Sequence, residues 1–270
     1  MMQKEVCTLR LSVSNIGWQA EDDREIYALM KEYGYSGLEI APTRIFPENP
    51  YDRLTEAARW AERLKAGDGF TVPSMQSIWF GRKESIFGTE EERQALADYT
   101  KKAIDFAESI GCGNLVFGCP KNRNLPEGAE EGTAISFFKE LGDYAAAHKT
   151  VIGLEANPPI YHTNFINDTM AALRLIERVH SDGFKLNLDV GTMIQNGERV
   201  DELSGKVQTI NHVHISEPGL KPLQKRLLHH ALKEVLVGEG YGGFVSIEIG
   251  HTGSIKDIED ALVYVGGIFK

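Results

Sequence analysis

Short runs of apolar residues alternate along this chain with longer stretches in which apolar positions recur every three or four residues. The short runs, read as strands, fall at 9–14, 36–41, 71–78, 114–118, 151–156, 185–190, 212–216 and 244–249. Helical spacing follows them at 22–33, 51–66, 90–110, 134–148, 169–180, 224–237 and 255–269, with a shorter, weakly periodic stretch at 200–207. Glycine clusters such as Gly34-Tyr35-Ser36-Gly37 and Gly240-Tyr241-Gly242-Gly243 precede several strands, as expected where a helix stops before a strand. Eight strand–helix pairs in 270 residues give about 34 residues per unit. No linker or low-complexity tract interrupts them, so the expectation is one α/β domain over residues 1–270, a (β/α)8 barrel.

The last four predicted strands alternate in a specific way. Leu186, Leu188 and Val190 interleave with Lys185, Asn187 and Asp189, and Val213 and Ile215 interleave with His212, His214 and Ser216. Glu155 and Asn157 share one phase of their strand, and Ser246, Glu248 and Gly250 oppose Val245, Ile247 and Ile249. A period of two sends these sets to opposite faces. In a barrel the apolar face packs under helices, so the polar set points inward. Glu155, Asp189, His214 and Glu248 fall near the C-terminal strand ends, where barrel active sites are built. Carboxylates converging there would repel one another unless a cation joined them. Three oxygen donors and one imidazole suit one divalent metal ion, Mn, Mg, Co or Zn.

Composition narrows the function classes. The chain is 42% hydrophobic and 25% charged, as expected of a globular protein. Its net charge of −10, from 29 Lys plus Arg against 39 Asp plus Glu, opposes nucleic acid and anionic membranes as partners. The three cysteines, Cys7, Cys112 and Cys119, show no metal-type spacing and read as small buried hydrophobes in a reducing compartment. With no secretion-type apolar run at residues 1–7 and no span of about 20 apolar residues, the expected location is cytoplasmic.

The segments Leu154-Glu155-Ala156-Asn157-Pro158, Asn187-Leu188-Asp189-Val190-Gly191, His212-Val213-His214-Ile215-Ser216-Glu217 and Ser246-Ile247-Glu248 resemble the xylose-isomerase-like TIM barrel superfamily. The likeness is strongest to sugar isomerases and epimerases related to tagatose 3-epimerase and hydroxypyruvate isomerase. It implies that Glu155, Asp189, His214 and Glu248 hold one metal ion. It also implies that Glu155 and Glu248 act as an acid/base pair on opposite faces of a sugar, and that Glu217 lies beside the substrate. The implied reaction is proton transfer through a metal-bound enediolate of a sugar, sugar acid or polyol-derived keto compound. Two positions depart from the family pattern. Thr192 stands where a His or Asn is frequent, and Leu220, followed by Lys221, stands where the epimerases often carry arginine.

Other residues are open to two readings. Glu39 and Gln76, at the second and third strands, either touch substrate or are satisfied rim polars. Asn157 and Asn164 suit sugar hydroxyls, though Asn beside Pro158 is also ordinary turn chemistry. His212 reads as a core residue supporting the site, and His229-His230 as a surface pair. Trp18, Trp79 and Phe80 either wall a pocket or simply pack. The sequence at 238–243 matches G-x-G-x-x-G but precedes a strand, the reverse of a dinucleotide site. At 250–254, Ser254 with Asp257 reads as a helix cap rather than a phosphate cradle.

A lyase that dehydrates or cleaves a keto-sugar would use the same residues. An apurinic endonuclease would need a multi-zinc cluster with further histidines, and the first four predicted strands contain none. A non-enzymatic sugar sensor would lack a ligand, whereas all four are present. The partner expected is a small sugar, in a chain compatible with homo-oligomers.

Overall fold

The computed structural model describes residues 9–270; Cys7 lies outside them. Seven strands form one parallel sheet: β1 (Arg10–Ser14), β2 (Gly37–Glu39), β3 (Leu115–Phe117), β4 (Ile152–Leu154), β5 (Phe184–Asp189), β6 (Ile210–Ile215) and β7 (Phe244–Ile247). The strand order is β2-β1-β7-β6-β5-β4-β3. Around them lie α1 (Asp23–Glu32), the single turn α2 (Pro42–Ile45), α3 (Leu54–Asp68), α4 (Glu90–Ile110), α5 (Gly132–Ala147), α6 (Thr169–Val179), α7 (Val190–Asn196), α8 (Leu227–Gly238) and α9 (Ile255–Phe269).

The third predicted strand, 71–78, does not form a regular ladder. Thr71 bridges Gly37, and Met75 bridges Ile40 on one side and Leu115 on the other. Pro73 lies between them and has no N–H to give, so pairing is confined to single residues. These bridges join β2 to β3, and the sheet closes into a (β/α)8 barrel with residues 71–76 as its irregular stave.

The weakly periodic stretch 200–207 is not an α-helix. It holds a 3-10 turn at Val200–Leu203, and the helix after β5 is α7, which begins at Val190. Asp189 causes this early start: its side chain accepts from Gly191 N and Thr192 N, capping the first turn.

Apolar strand residues face the helices. Leu186, Leu188, Val213, Val245 and Ile247 are buried together with Leu173, Ile176, Leu232, Leu236, Leu262 and Val265 of α6, α8 and α9. Each fully buried Leu or Ile contributes about 1.5–3 kcal/mol relative to exposure. The register between β5 and β6 skips Asn211, so that Asn187 pairs with His212 and Asp189 with His214. This bulge puts the polar residues of both strands in one inward phase. The barrel axis is correspondingly polar. Asn211 Nδ2 donates to Asn114 Oδ1 at 2.9 Å, Asn114 Nδ2 to Asn187 Oδ1 at 3.3 Å, and Asn187 Nδ2 to Glu155 Oε2 at 2.9 Å. Gly153 makes room for that line of amides, since a Cβ there would stand 2.5 Å from Asn114 Oδ1. Among the described residues no helix is long and apolar enough to cross a membrane.

Candidate active site

The strands deliver their polar ends to one rim. Glu39 and Asp189 are the last residues of β2 and β5, His214 is the penultimate residue of β6, and Glu155 and Glu248 directly follow β4 and β7. Above them opens a cavity of about 250 Å³, lined by Glu155, Asp189 and Glu248 together with Gln76, Asn157 and Tyr161.

His214 is the hub. Its Nδ1 lies 3.1 Å from Glu155 Oε2 and 3.3 Å from Glu248 Oε2, and its Nε2 lies 3.0 Å from Glu39 Oε2. Glu155, His214 and Glu248 each place one donor atom within 4.8 Å of the others, a spacing that would accept a metal ion. A second triad behind it, Glu39, His212 and His214, meets the same criterion, with His212 Nε2 at 2.8 Å from Glu39 Oε2. Burial by itself would lower the His214 pKa, but the carboxylates of Glu39 and Glu248 outweigh it and hold the imidazole well above its ordinary value. An imidazolium and a cation are thus alternative ways of neutralising the same carboxylates. Burial likewise pushes Glu39 up, and the two histidines overcome this and bring it well below the usual carboxylate range.

Asp189 sits on the same rim but joins neither triad. Ser216 Oγ donates to its Oδ1, while Thr192 N and Thr192 Oγ1 each lie 2.8 Å from its Oδ2. Burial first, and then the Glu155 carboxylate, raise its pKa. Thr192 secures Asp189, and its Oγ1 lies 2.8 Å from the Ala156 carbonyl.

Of the five residues expected to touch substrate, two line the cavity. Gln76 accepts from Ser14 Oγ and donates through Nε2 to Glu248 Oε1 at 2.9 Å, and Asn157 donates to Glu155 Oε1 at 3.0 Å. The other three are turned away. Glu39 is fully buried beneath the site against His212 and His214. Glu217 grips Arg226 through both oxygens, at 2.7 and 2.6 Å, because that guanidinium reaches back from the start of α8. Asn164 exchanges hydrogen bonds with the backbone of Leu125, at 2.8 and 2.9 Å, and pins a loop.

Trp18 and Trp79 are buried packing residues tied to Asp23 and Thr100, while Phe80 is exposed. His229 is buried against Tyr264, and His230 alone of that pair is exposed. Ser254 caps α9, accepting from Asp257 N.

Sequence reasoning missed Arg123. This guanidinium, in the loop after β3, is completely buried and faces no carboxylate directly. Nη1 donates to the Glu155 carbonyl and Nη2 to Asn157 Oδ1, both at 2.9 Å. Burial lowers its pKa to about 10, which leaves it charged at neutral pH. Gly118 permits the cluster to close, since a Cβ there would lie 3.0 Å from Glu155 Oε1.

A family model for the xylose isomerase-like TIM barrel matches residues 27–263. The chain belongs to that family. No curated protein sequence matches it. Among solved structures it is similar to 3-keto-D-glucoside 4-epimerase from E. coli, at 19% identity and TM-score 0.76, covering 95% of this chain and 98% of that one. It is also similar to D-psicose 3-epimerase from Clostridium cellulolyticum H10, at 14% identity and TM-score 0.74, covering 97% and 100%. An AP endonuclease, family 2, from Brucella melitensis matches at 21% identity and TM-score 0.73, covering 97% and 100%. At such identities these likenesses establish the shared barrel.

Proposed function

We propose that this protein is a divalent-metal-dependent isomerase or epimerase of a sugar or keto-sugar, working by proton transfer between the substrate and two glutamates. The observation that carries this reading is the convergence of Glu155 and Glu248, from β4 and β7, on one imidazole beneath one cavity. Glu155, His214 and Glu248 would hold the metal ion, with Asp189 on the same rim as a fourth donor. The donor set of carboxylates and imidazole fits Mn, Mg, Co or Zn. Such a cation, when bound, polarises a carbonyl and favours loss of the neighbouring proton.

The chain's own groups then divide the work. One glutamate takes the proton beside the carbonyl, and the other returns a proton to the opposite face or to the neighbouring atom. General acid/base transfer of this kind contributes about 10²–10⁴-fold. Gln76 holds Glu248 through Oε1, while Asn157 and Asn187 hold Glu155 through Oε1 and Oε2, so both carboxylates are aimed before substrate arrives. The sugar epimerases among the structural relatives support this reading, as does the excess of acidic residues, which disfavours a nucleic-acid substrate.

Heavy water tests the reading. Turnover by metal-loaded protein should place deuterium on the carbon beside the carbonyl, and conversion without solvent hydrogen at that carbon would overturn the two-glutamate scheme. Glu248→Gln, checked for metal content in the same sample, should lose about 10²-fold or more in kcat.

A further inference from the structure

We infer that the substrate of this site is an uncharged carbonyl sugar, bearing neither phosphate nor carboxylate. The inference rests on the reading above that the cavity at the barrel mouth is where reaction occurs. It concerns the charge of the molecule that enters.

The cavity wall carries three carboxylates, Glu155, Asp189 and Glu248, and among the described residues its remaining polar lining is uncharged. The arginines in the loops beside the site are committed elsewhere, and Arg82, shortly after Ser77, pairs with Glu84. Arg123 is buried behind Asn157, with Nη1 donating to the Glu155 carbonyl and Nη2 to Asn157 Oδ1. Arg226 forms a two-point ion pair with Glu217, at 2.7 and 2.6 Å.

Helix N-termini at the C-terminal rim are the usual sockets for phosphate in a barrel. At α6, α7 and α9 the chain's own acceptors fill them. Asp189 accepts from Gly191 and Thr192 at the start of α7. Asp168 accepts from Ala171 N at 2.7 Å, and Glu198 from Thr169 N at 3.3 Å, at the start of α6. Ser254 caps α9, the helix after the last strand, and Asp257 adds a negative charge to its first turn. Even with a divalent cation held among them, the three wall carboxylates keep a net negative charge, and an anionic group meets neither a basic side chain in the lining nor an open socket at α6, α7 or α9. A neutral sugar meets hydroxyl-compatible partners in Gln76, Ser77, Asn157 and Tyr161. Lys121 and Lys221 follow the lining residues Pro120 and Leu220, but both are exposed to solvent.

The test is a binding and exchange comparison on Mn-loaded protein. Free ketopentoses and ketohexoses are titrated beside their terminal phosphates and the corresponding keto-uronates, and each mixture is assayed for deuterium uptake from heavy water. At least one free sugar should bind about 10-fold or more tightly than both anionic counterparts, and raising the salt should narrow that gap by screening the repulsion. A Lys121→Gln/Lys221→Gln double variant should leave the affinity for the free sugar unchanged within about two-fold. Equal or tighter binding of a phosphate or uronate would overturn the inference. Free sugar that binds but takes up no deuterium would sink the proposed reaction and leave the charge assignment standing. Deuterium entering only an anionic compound would do the reverse, and failure of every compound to bind would overturn both.

Discussion

Arg123 donates through Nη2 to Asn157 Oδ1 at 2.9 Å and so fixes which end of the Asn157 amide faces Glu155. With its oxygen engaged, Asn157 can present only N–H groups to the carboxylate and the cavity. Arg123→Met keeps most of the buried volume but leaves Asn157 Oδ1 and the Glu155 carbonyl without donors. It should destabilise the fold by about 2–4 kcal/mol and lower kcat about 10-fold or more, with smaller effects on KM. Arg123→Lys should recover part of both losses, since one ammonium cannot satisfy two acceptors in the guanidinium geometry. Thermal melts alongside kcat and KM check this; an Arg123→Met protein with unchanged kcat would sink the positioning role.

Glu39 acts on the metal site from beneath. Its carboxylate holds His214 Nε2 and leaves Nδ1 facing Glu155 and Glu248. Glu39→Gln should weaken metal binding about 10–100-fold, as loss of a carboxylate partner does for other imidazole ligands. Competition against a chromophoric chelator measures it. Unchanged affinity would show that the barrel alone orients the ring.

One divalent ion per chain is the expected stoichiometry, because both triads share His214. His214→Ala should remove most of the affinity. Asp189→Asn separates the two roles of Asp189, since Asn caps a helix about as well as Asp does. Its melting temperature should stay close to that of the parent while metal affinity falls about 10-fold or more. Elemental analysis and titration would detect a second equivalent or an indifferent Asp189→Asn.

His229 gives the fold an acid-labile point. It is buried with Nδ1 2.8 Å from the Tyr264 hydroxyl, and burial pushes its pKa from 6.5 down to about 4. Between those values the unfolded chain binds the proton more readily than the folded one. Stability is therefore complete above about pH 6.5 and is lost as pH falls toward 4, by at most about 3 kcal/mol. His229→Gln should flatten the fall in melting temperature between pH 7 and 4.5 by several degrees. An unchanged slope would place the acid sensitivity elsewhere.

The alternation in 185–190 and 212–216 was enough to place Asp189 and His214 on the inward face, because a buried strand cannot exchange its two faces without exposing its apolar set. Long-range partners were not visible in that pattern. Glu217 and Asn164 look like free polar residues at strand-end loops until Arg226 and the Leu125 backbone come to meet them. Arg123 looks like a solvated loop arginine; only its neighbours Gly118 and Pro120, which force a tight path after β3, hinted at a constrained segment. The third strand failed as a ladder because Pro73 interrupts donors that hydrophobicity alone does not register. His229 was misplaced because a pair of adjacent histidines gives no sign of which one the helix turns inward.

The irregular stave at 71–76 gives the barrel one soft side. Elsewhere in the wall consecutive residues are paired, but here Pro73 leaves a gap between the backbone bonds made by Thr71 and those made by Ser74, Met75 and Gln76. Those links are where the cylinder should breathe, with amide protons there exchanging sooner than those of β5 and β6. Gln76, one residue past Met75, tethers Glu248. Each opening of that seam therefore loosens the grip on one member of the glutamate pair and leaves the other, Glu155, clamped by its amides.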